Sequence, residues 1–383
     1  MSLPPEVLMT SMRVHQKYFP CFEKGGQLAP FFLAVANQHA PDGGAAILAG
    51  NERVLKARLS DAAFFWQQDL SLSLETHGKR LEQVIFHAKA GSMAQKVRRL
   101  EMLASALAAS VPGAHAVDSV RAASLCKADL TTGMVGEFPE LQGVIGRYYA
   151  LSQGENPDVA LAIREHYQPL GPSQPVPAKP VSMVLALADK LDTLAVLFAA
   201  GEAPTGSRDP LALRRTAYGI IRIILENRLS LNLPAFVSAP DVLAFLHERC
   251  QQYFKEQGVP LPVILAASAG GPAGNLYHFQ QKIEALQAFV ATLQAQRLLQ
   301  SYSRASNIVR IESRKDGLMY EGNVREDLLH ETSEKILYNG IRHFEQDVSL
   351  ALSEGRYLAA FEALQPLADP LEDFFATVTV NCE

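Results

Sequence analysis

The sequence predicts a mainly α protein with a small α/β body. Three observations carry this. An alternating apolar stretch is confined to the start of the chain, apolar residues recur at three- and four-residue spacing from about residue 54 onward, and rigid Gly/Pro breaks separate the periodic segments. The chain has 383 residues, 48% hydrophobic and 20% charged, enough to build roughly two to three packed domains and to exclude disorder as its main state.

The first segment reads as a β-hairpin. Met12, Val14, Phe19 and Phe22 precede the turn Glu23-Lys24-Gly25-Gly26, and residues 28–37 follow with Phe31, Leu33 and Val35 alternating with Phe32, Ala34 and Ala36. Both faces are apolar, as in a buried strand, and the Gly pair suits a hairpin turn. His15 lies on the first strand beside Arg13, Gln16 and Lys17, a row that either contacts a phosphate or a partner or forms an exposed strand face. After Pro41-Asp42-Gly43-Gly44, Val54, Leu55, Leu59, Ala62, Ala63, Phe65 and Trp66 take up helical spacing, which completes a body over residues 1–67.

Residues 68–230 read as one all-α domain. Its stripes are Leu100, Leu103 and Leu107; Leu125 and Leu130; Val184, Leu187, Leu191, Leu194 and Phe198; and Ile220, Ile221, Ile224 and Leu225. The proline-rich run 169–177 interrupts them, and the firmest helices are 181–200 and 210–227. A helical connector, 231–295, breaks at Gly270-Gly271-Pro272-Ala273-Gly274. The last domain, 296–383, takes a long amphipathic helix running from Ile283 toward Ile308, then helices over 324–339 and 341–352, a stop at Gly355, and short helices over 357–364 and 371–375.

Charge is uneven. Thirty-five Lys and Arg against forty Asp and Glu give −5, which argues against a protein that coats nucleic acid. Yet residues 83–100 contain no acid and carry Lys89, Lys96, Arg98 and Arg99. From 297 to 325 the basic residues Arg297, Arg304, Arg310, Arg314, Lys315 and Arg325 outnumber Glu312, Asp316 and Glu321, and beyond 326 the sign reverses. Each basic run is either a solvated helix face or a binding surface. The loop 204–210 offers Thr205, Gly206, Ser207 and Arg208 at a helix N-terminus, ahead of Arg214, Arg215, Arg222 and Arg228, where a phosphate contact competes with ordinary salt bridges. Cys21, Cys126, Cys250 and Cys382 lie far apart with no CxxC pair, so reduced thiols are expected rather than a disulfide framework or a zinc knuckle. No apolar stretch suits a bilayer span and no basic-then-apolar leader opens the chain, so the expectation is a cytoplasmic protein without a membrane partner. GxGxxG, Walker, GxSxG and HExxH motifs are all missing, and no catalytic residue or metal-ligand set is assigned.

Six separated motifs resemble the β subunit of the heterotetrameric bacterial glycyl-tRNA synthetase. They are Met12-Arg13-Val14-His15-Gln16-Lys17-Tyr18-Phe19; Gly50-Asn51-Glu52-Arg53-Val54 with Ala57-Arg58-Leu59-Ser60-Asp61-Ala62; Cys126-Lys127-Ala128-Asp129-Leu130 with Met134-Val135-Gly136-Glu137-Phe138-Pro139-Glu140-Leu141; Ala188-Asp189-Lys190-Leu191-Asp192-Thr193-Leu194; Pro204-Thr205-Gly206-Ser207-Arg208-Asp209-Pro210 with Ala212-Leu213-Arg214-Arg215; and Ser303-Arg304-Ala305-Ser306-Asn307-Ile308.

The resemblance implies an HD-like helical domain followed by a truncated DALR-type anticodon-binding helical bundle, in a middle-to-late piece of a longer subunit. Of the HD metal ligands only Asp189 is matched, and no His-Asp dipeptide occurs in the chain; Glu137 and Asp189 are expected to be relics that pair with Lys or Arg. The implied function is tRNA recognition for glycine–tRNA ligase. ATP and Mg²⁺ would bind a separate α subunit, no cofactor would bind this chain, and the chain alone would be inactive. The implied partners are the α subunit and tRNA(Gly), with room for a β–β contact. The expected tRNA-binding residues are Arg297, Arg304, Asn307, Arg310, Arg314 and Lys315, then Arg208, Arg214 and Arg215, then Lys96, Arg98 and Arg99. A divergent HD phosphohydrolase would need a metal, and a non-catalytic helical scaffold would show no salt-dependent RNA affinity.

Overall fold

The computed structural model describes residues 3–37, 39–271, 274–320 and 322–380. Cys382, Glu321 and the Pro272-Ala273 part of the glycine-rich break lie outside the described residues. Mainly helical, as the periodicity requires, the chain divides into two compact units, 1–249 and 250–383.

The start of the chain departs from the expected strand. Pro5 occupies the first turn of a helix, α1 (Pro5–Thr10), with Glu6 beside its positive end, and the helical path continues through a wide turn, Ser11–His15. Met12, Val14 and His15 are therefore helical. Val7, Ser11 and Met12 are the buried positions, a spacing of four and one that fits a helix face and no strand. His15 stacks on Phe138 at 5.0 Å. The hairpin itself is present: β1 (Phe19–Phe22) pairs antiparallel with β2 (Leu28–Leu33), Phe19 opposite Leu33 and Phe22 opposite Leu28. Gly26, at φ +79°, supplies the left-handed turn residue. The strands are not buried, since Phe31 is 70% and Leu33 64% exposed. A two-stranded sheet covers little of its own surface, and the hairpin turns toward α2 (Ala45–Leu70) across a cavity of about 670 Å³ rather than packing on it.

The rest of the first unit is built around one helix. α3 (Leu74–Lys79), a second small hairpin of β3 (Ile85–His87) and β4 (Gly91–Ser92), α4 (Met93–Ala108), α5 (Ala116–Leu125), α6 (Gly133–Glu137), α7 (Val144–Ser152) and α8 (Pro157–Glu165) precede α9 (Pro180–Ala199); α10 (Leu213–Glu226) follows it. Every residue of 181–192 is buried, and α9 packs on α4, α5, α8 and α10. Ser92 caps α4 through a capping box with Gln95, which fixes where the small hairpin ends and the helix begins. α10 starts at Leu213 rather than 210 because the Asp209 carboxylate accepts from the Leu213 and Arg214 amides at 2.8 and 3.0 Å.

The unit boundary falls within α11 (Pro240–Glu256). The second unit holds α12 (Leu261–Ala267), α13 (Leu276–Val290), α14 (Leu293–Asp316), α15 (Thr332–Ser353), α16 (Tyr357–Glu362) and α17 (Ala368–Thr377). The single helix expected from 283 to 308 is two helices: α13 stops at Val290, and the Thr292 hydroxyl accepts from the Ala295 amide to open α14. Conversely, the expected helices 324–339 and 341–352 are one, α15, with Gly340 inside it, where a Cβ would stand 3.5 Å from Leu367. Phe289, Ala295, Leu298, Leu367 and Ala368 form one core cluster of this unit, and Ile264, Leu276, Phe279 and Ile283 are buried as well. No helix among the described residues is long and apolar enough to cross a membrane.

At the end of α2, the buried Asp69 carboxylate joins three elements. Its Oδ1 accepts from the Gly133 amide at 2.8 Å, and its Oδ2 accepts from the Met134 amide and the Tyr149 hydroxyl, both at 2.9 Å. Asp69→Ala leaves those donors buried and unmet, so it should cost about 2–4 kcal/mol in urea unfolding; a loss under about 0.5 kcal/mol would show that these bonds do not hold α2 to α6 and α7.

Candidate functional site

α9 is apolar except where it carries Asp189, Lys190, Asp192 and Thr193, and these meet charged side chains from two other elements. From α4, the Lys96 ammonium donates to Asp192 Oδ2 at 3.0 Å, to Thr193 Oγ1 at 2.8 Å and to the Asp189 carbonyl at 3.2 Å. Following α5, the Lys127 ammonium lies 2.8 Å from His166 Nε2. Both ammonium groups stand 3.2 Å from the same oxygen, Asp189 Oδ1, which accepts no aligned hydrogen bond, so the contact is ionic. Lys190 donates to the His166 carbonyl at 2.9 Å. Arg99 grips Asp192 through Nε and Nη2 at 2.5 and 3.2 Å. Aromatic faces complete the shell, Phe86 4.6 Å from the Lys96 nitrogen and Tyr167 4.0 Å from that of Lys127.

The arrangement fixes protonation states. Burial by itself would raise the Asp189 carboxyl, but the ammonium groups of Lys127 and Lys96 outweigh it and hold it well below the usual carboxylate range. Burial, reinforced by Lys127, pushes His166 well below the ordinary imidazole value, so the ring is neutral. Its Nδ1 lies 2.7 Å from the Ile163 carbonyl and must donate there, which leaves the Nε2 lone pair to accept from Lys127. Burial brings Lys190 down to about 8. Next to this cluster, burial lifts Asp129 to about 6, although its Oδ2 accepts from the Gly143 and Gly146 amides at 2.6 and 3.1 Å.

Chemically, the cluster binds its own charges. An imidazole lone pair and a carboxylate oxygen that could ligate a divalent ion both face one ammonium, that of Lys127. Cys126 beside them is raised to about 12 by burial and carries no thiolate. Glu137 stands apart, paired with Arg58. Among the described residues no three His, Cys, Asp or Glu side chains are grouped to hold a metal.

The expected RNA-facing residues separate by exposure. Lys96 is corrected: it is 2% exposed and its ammonium is spent inside the cluster, so it presents nothing to a phosphate. Arg98 is exposed and paired with Glu82; Arg99 is half-buried on Asp192. At the N-terminus of α10 the expected phosphate cradle is already filled by Asp209, while Arg214 donates to the Gly206 carbonyl at 2.5 Å and Arg208 and Arg215 stay exposed. Arg222 instead closes the proline-rich loop, donating to the carbonyls of Pro172 and Gln174, each at 2.9 Å. On α14, Arg297 is taken by Glu372 and Asp369 at 2.9 and 2.8 Å. Arg304 lies 4.4 Å over the Phe375 ring rather than on a carboxylate. Asn307 accepts from Arg310 at 3.0 Å, Lys315 is 3.6 Å from Glu312, and Arg314 is exposed. Lys127, His166, Lys190 and Asp192 were not expected as site residues. The signal for Lys190 and Asp192 was present, as charges beside Asp189 in the middle of a twenty-residue apolar helix, whereas Lys127 and His166 lie on other elements and left none.

Residues 1–269 match the family model for the glycyl-tRNA synthetase beta subunit. The whole chain aligns with proteins named glycine–tRNA ligase beta subunit from Rhodospirillum centenum (46% identical), Phenylobacterium zucineum (45%) and Cereibacter sphaeroides (42%). It covers 56%, 57% and 58% of those proteins, so the chain spans a little over half the length of the relatives it matches.

His166 gives a pH signature. Its folded value lies below the unfolded one of about 6.5, so below that pH the unfolded chain binds the extra proton and stability falls as pH falls. Asp129 acts oppositely: raised to about 6 in the fold, it favours the folded state toward lower pH, most between about 4 and 6. The difference between wild type and His166→Gln removes the Asp129 contribution. Urea melts from pH 8 to pH 5 should therefore show wild type losing stability faster than His166→Gln below about pH 6.5; parallel curves would mean that His166 charges freely in the fold.

Proposed function

Because this chain belongs to the glycyl-tRNA synthetase beta subunit family, we propose that it serves glycine–tRNA ligase by holding tRNA(Gly) for an α subunit at which glycine and ATP with Mg²⁺ react. The observation that carries this is the match of the entire chain to β subunits at 40–46% identity. In this reading residues 68–230 are an HD-like domain turned from metal binding to support, and residues 296–383 belong to a DALR-type anticodon-binding bundle. Arg304, Arg310, Arg314 and Lys315 on α14 would neutralise phosphates, while Arg304 over Phe375 and the neighbouring Asn307 offer a flat, polar platform for bases. Lys127 faces both His166 and Asp189, which speaks against the alternative of a metal-dependent phosphohydrolase. A purely protein-binding scaffold is distinguished by the titration below.

In a salt titration of tRNA(Gly) affinity, each phosphate-binding cation removed should lower the slope of log K against log salt by about 0.7 to 0.9. Arg304→Gln should lose about one such step and Arg314→Gln/Lys315→Gln about two, with thermal melts confirming the fold. Unchanged slopes in folded variants would assign these cations to solvent. The same chain, free of α subunit, should support no glycine-dependent ATP–pyrophosphate exchange, and measurable exchange would overturn the division of labour.

A further inference from the structure

One cavity in the first unit is lined by three cations that reach the surface, Lys89 and Arg98 well exposed and Arg99 in part. It lies between the β3–β4 hairpin, α4 and the last turns of α9, has a volume of about 970 Å³, and is lined by Lys89, Gln95, Arg98 and Arg99 against the small side chains Ala195 and Ala199. We propose that this groove holds the phosphodiester backbone of an RNA strand, with Arg99 as its fixed fork and Arg98 and Lys89 as its adjustable cations. The proposal rests on the reading of the chain as a tRNA-holding subunit and adds a second contact surface to it.

The three cations differ in how they are held, and the difference suits the task. Arg99 is locked: Nε and Nη2 grip Asp192, whose side chain is 2% exposed and is itself held by Lys96. That grip leaves Nη1 outside the pair and sets the guanidinium plane, so little ordering entropy remains to be lost when a phosphate oxygen arrives. Arg98 pairs with Glu82, but both side chains are more than half exposed, and a solvated pair of this kind is worth so little that the guanidinium can turn to a phosphate at small cost. Lys89 is 63% exposed and donates to the Ala200 carbonyl at 3.0 Å. There it offsets the negative end of α9, which would otherwise repel an anion, while Glu202 already has Lys89 as its partner.

The lining also indicates which part of RNA fits. It contains no aromatic side chain on which a base could stack, and alanines at 88, 90, 195, 199 and 200 keep the walls low, so a chain of phosphates can approach closely. Gly91, at φ +86°, holds the hairpin tight: a Cβ there would fall 1.8 Å from Gln95 Oε1, the oxygen that completes the α4 capping box. Affinity without base readout is the expected behaviour, the groove setting the register of the RNA rather than its identity.

The test is tRNA(Gly) binding by the whole chain over a salt series, for wild type, Arg98→Gln, Lys89→Gln and Arg99→Lys, with melts to check folding. Arg98 and Lys89 are exposed enough that their loss should leave the fold intact. Each should lower the salt slope by about 0.7 to 0.9, equally for tRNA(Gly) and for an unrelated tRNA. Arg99→Lys keeps the charge and loses the fork, so affinity should fall with the slope nearly kept. If wild type binds tRNA and the Arg98 and Lys89 variants bind it with wild-type slope, the groove is overturned and the tRNA-holding reading survives. A wild-type chain that binds no tRNA overturns both. Displacement of the RNA by micromolar AMP or inorganic phosphate would give the groove to a small phosphate ligand and overturn the RNA assignment.

Discussion

Burying the Asp189 carboxylate without partners would cost several kcal/mol of desolvation, and the first unit meets that constraint with lysine ammonium groups drawn from two separate elements. Lys96 comes from α4 and Lys127 from the turn after α5, so neutralising one oxygen on α9 also fixes where those elements stand. Removing one partner from such a buried group typically costs about 3–5 kcal/mol, because the charge left behind has no water to return to. His166 follows from the same constraint. Its neutral form is required by the Lys127 ammonium, and its tautomer by the Ile163 carbonyl. Asp192, held by Lys96 from the inside, orients Arg99 toward the outside, so the interior electrostatics reach the surface through a single bidentate pair.

The helical class was legible because its signal is additive over many turns: the stripe residues Val184, Leu187, Leu191 and Leu194 on α9 and Ile220, Ile221, Ile224 and Leu225 on α10 are all buried. Single residues misled where local and tertiary preferences competed. Met12 and Val14 alternate like a strand, but Pro5 starts a helix whose continuation absorbs them. Gly340 looks like a break, yet it lies inside α15, because one glycine in a helix interior costs only about 1 kcal/mol against alanine and does not end a helix of 22 residues. Thr292, an ordinary polar residue in a run of apolar spacing, separates α13 from α14 by capping. At the candidate site, Asp189 was readable from its motif. Lys127 and His166 were not, because an ion pair between residues distant in the chain leaves no periodic trace, and basic residues in an acid-free run look alike whether they face solvent or, as Lys96 does, the core.

Net charge describes this molecule poorly for the same reason. An overall −5 includes cations that never reach solvent, such as Lys96 and Lys127, and others cancelled by a neighbour, such as Arg297 on Glu372 and Asp369. Exposed cations are spread along the chain, and those that the RNA reading uses lie at three places: the groove beside α4 in the first unit, the loop before α10, and α14 in the second. A polyanion would meet those groups while the acidic surface elsewhere discourages indiscriminate binding, which is how a chain of net negative charge can serve RNA.

Residue-resolved labelling reports on interior and surface together. The chain would be treated with an amine-acylating reagent and, separately, with a guanidine-specific dicarbonyl, free and bound to tRNA(Gly), and modified positions read by mass spectrometry. The account predicts that Lys96 and Lys127 resist labelling in both states, while Lys89, Arg98, Arg304, Arg314 and Lys315 react in the free chain and become protected by tRNA. Reaction of Lys96 or Lys127 in the free, folded chain would contradict the buried cluster, and unchanged reactivity of the exposed cations in the bound state would contradict their role in holding RNA.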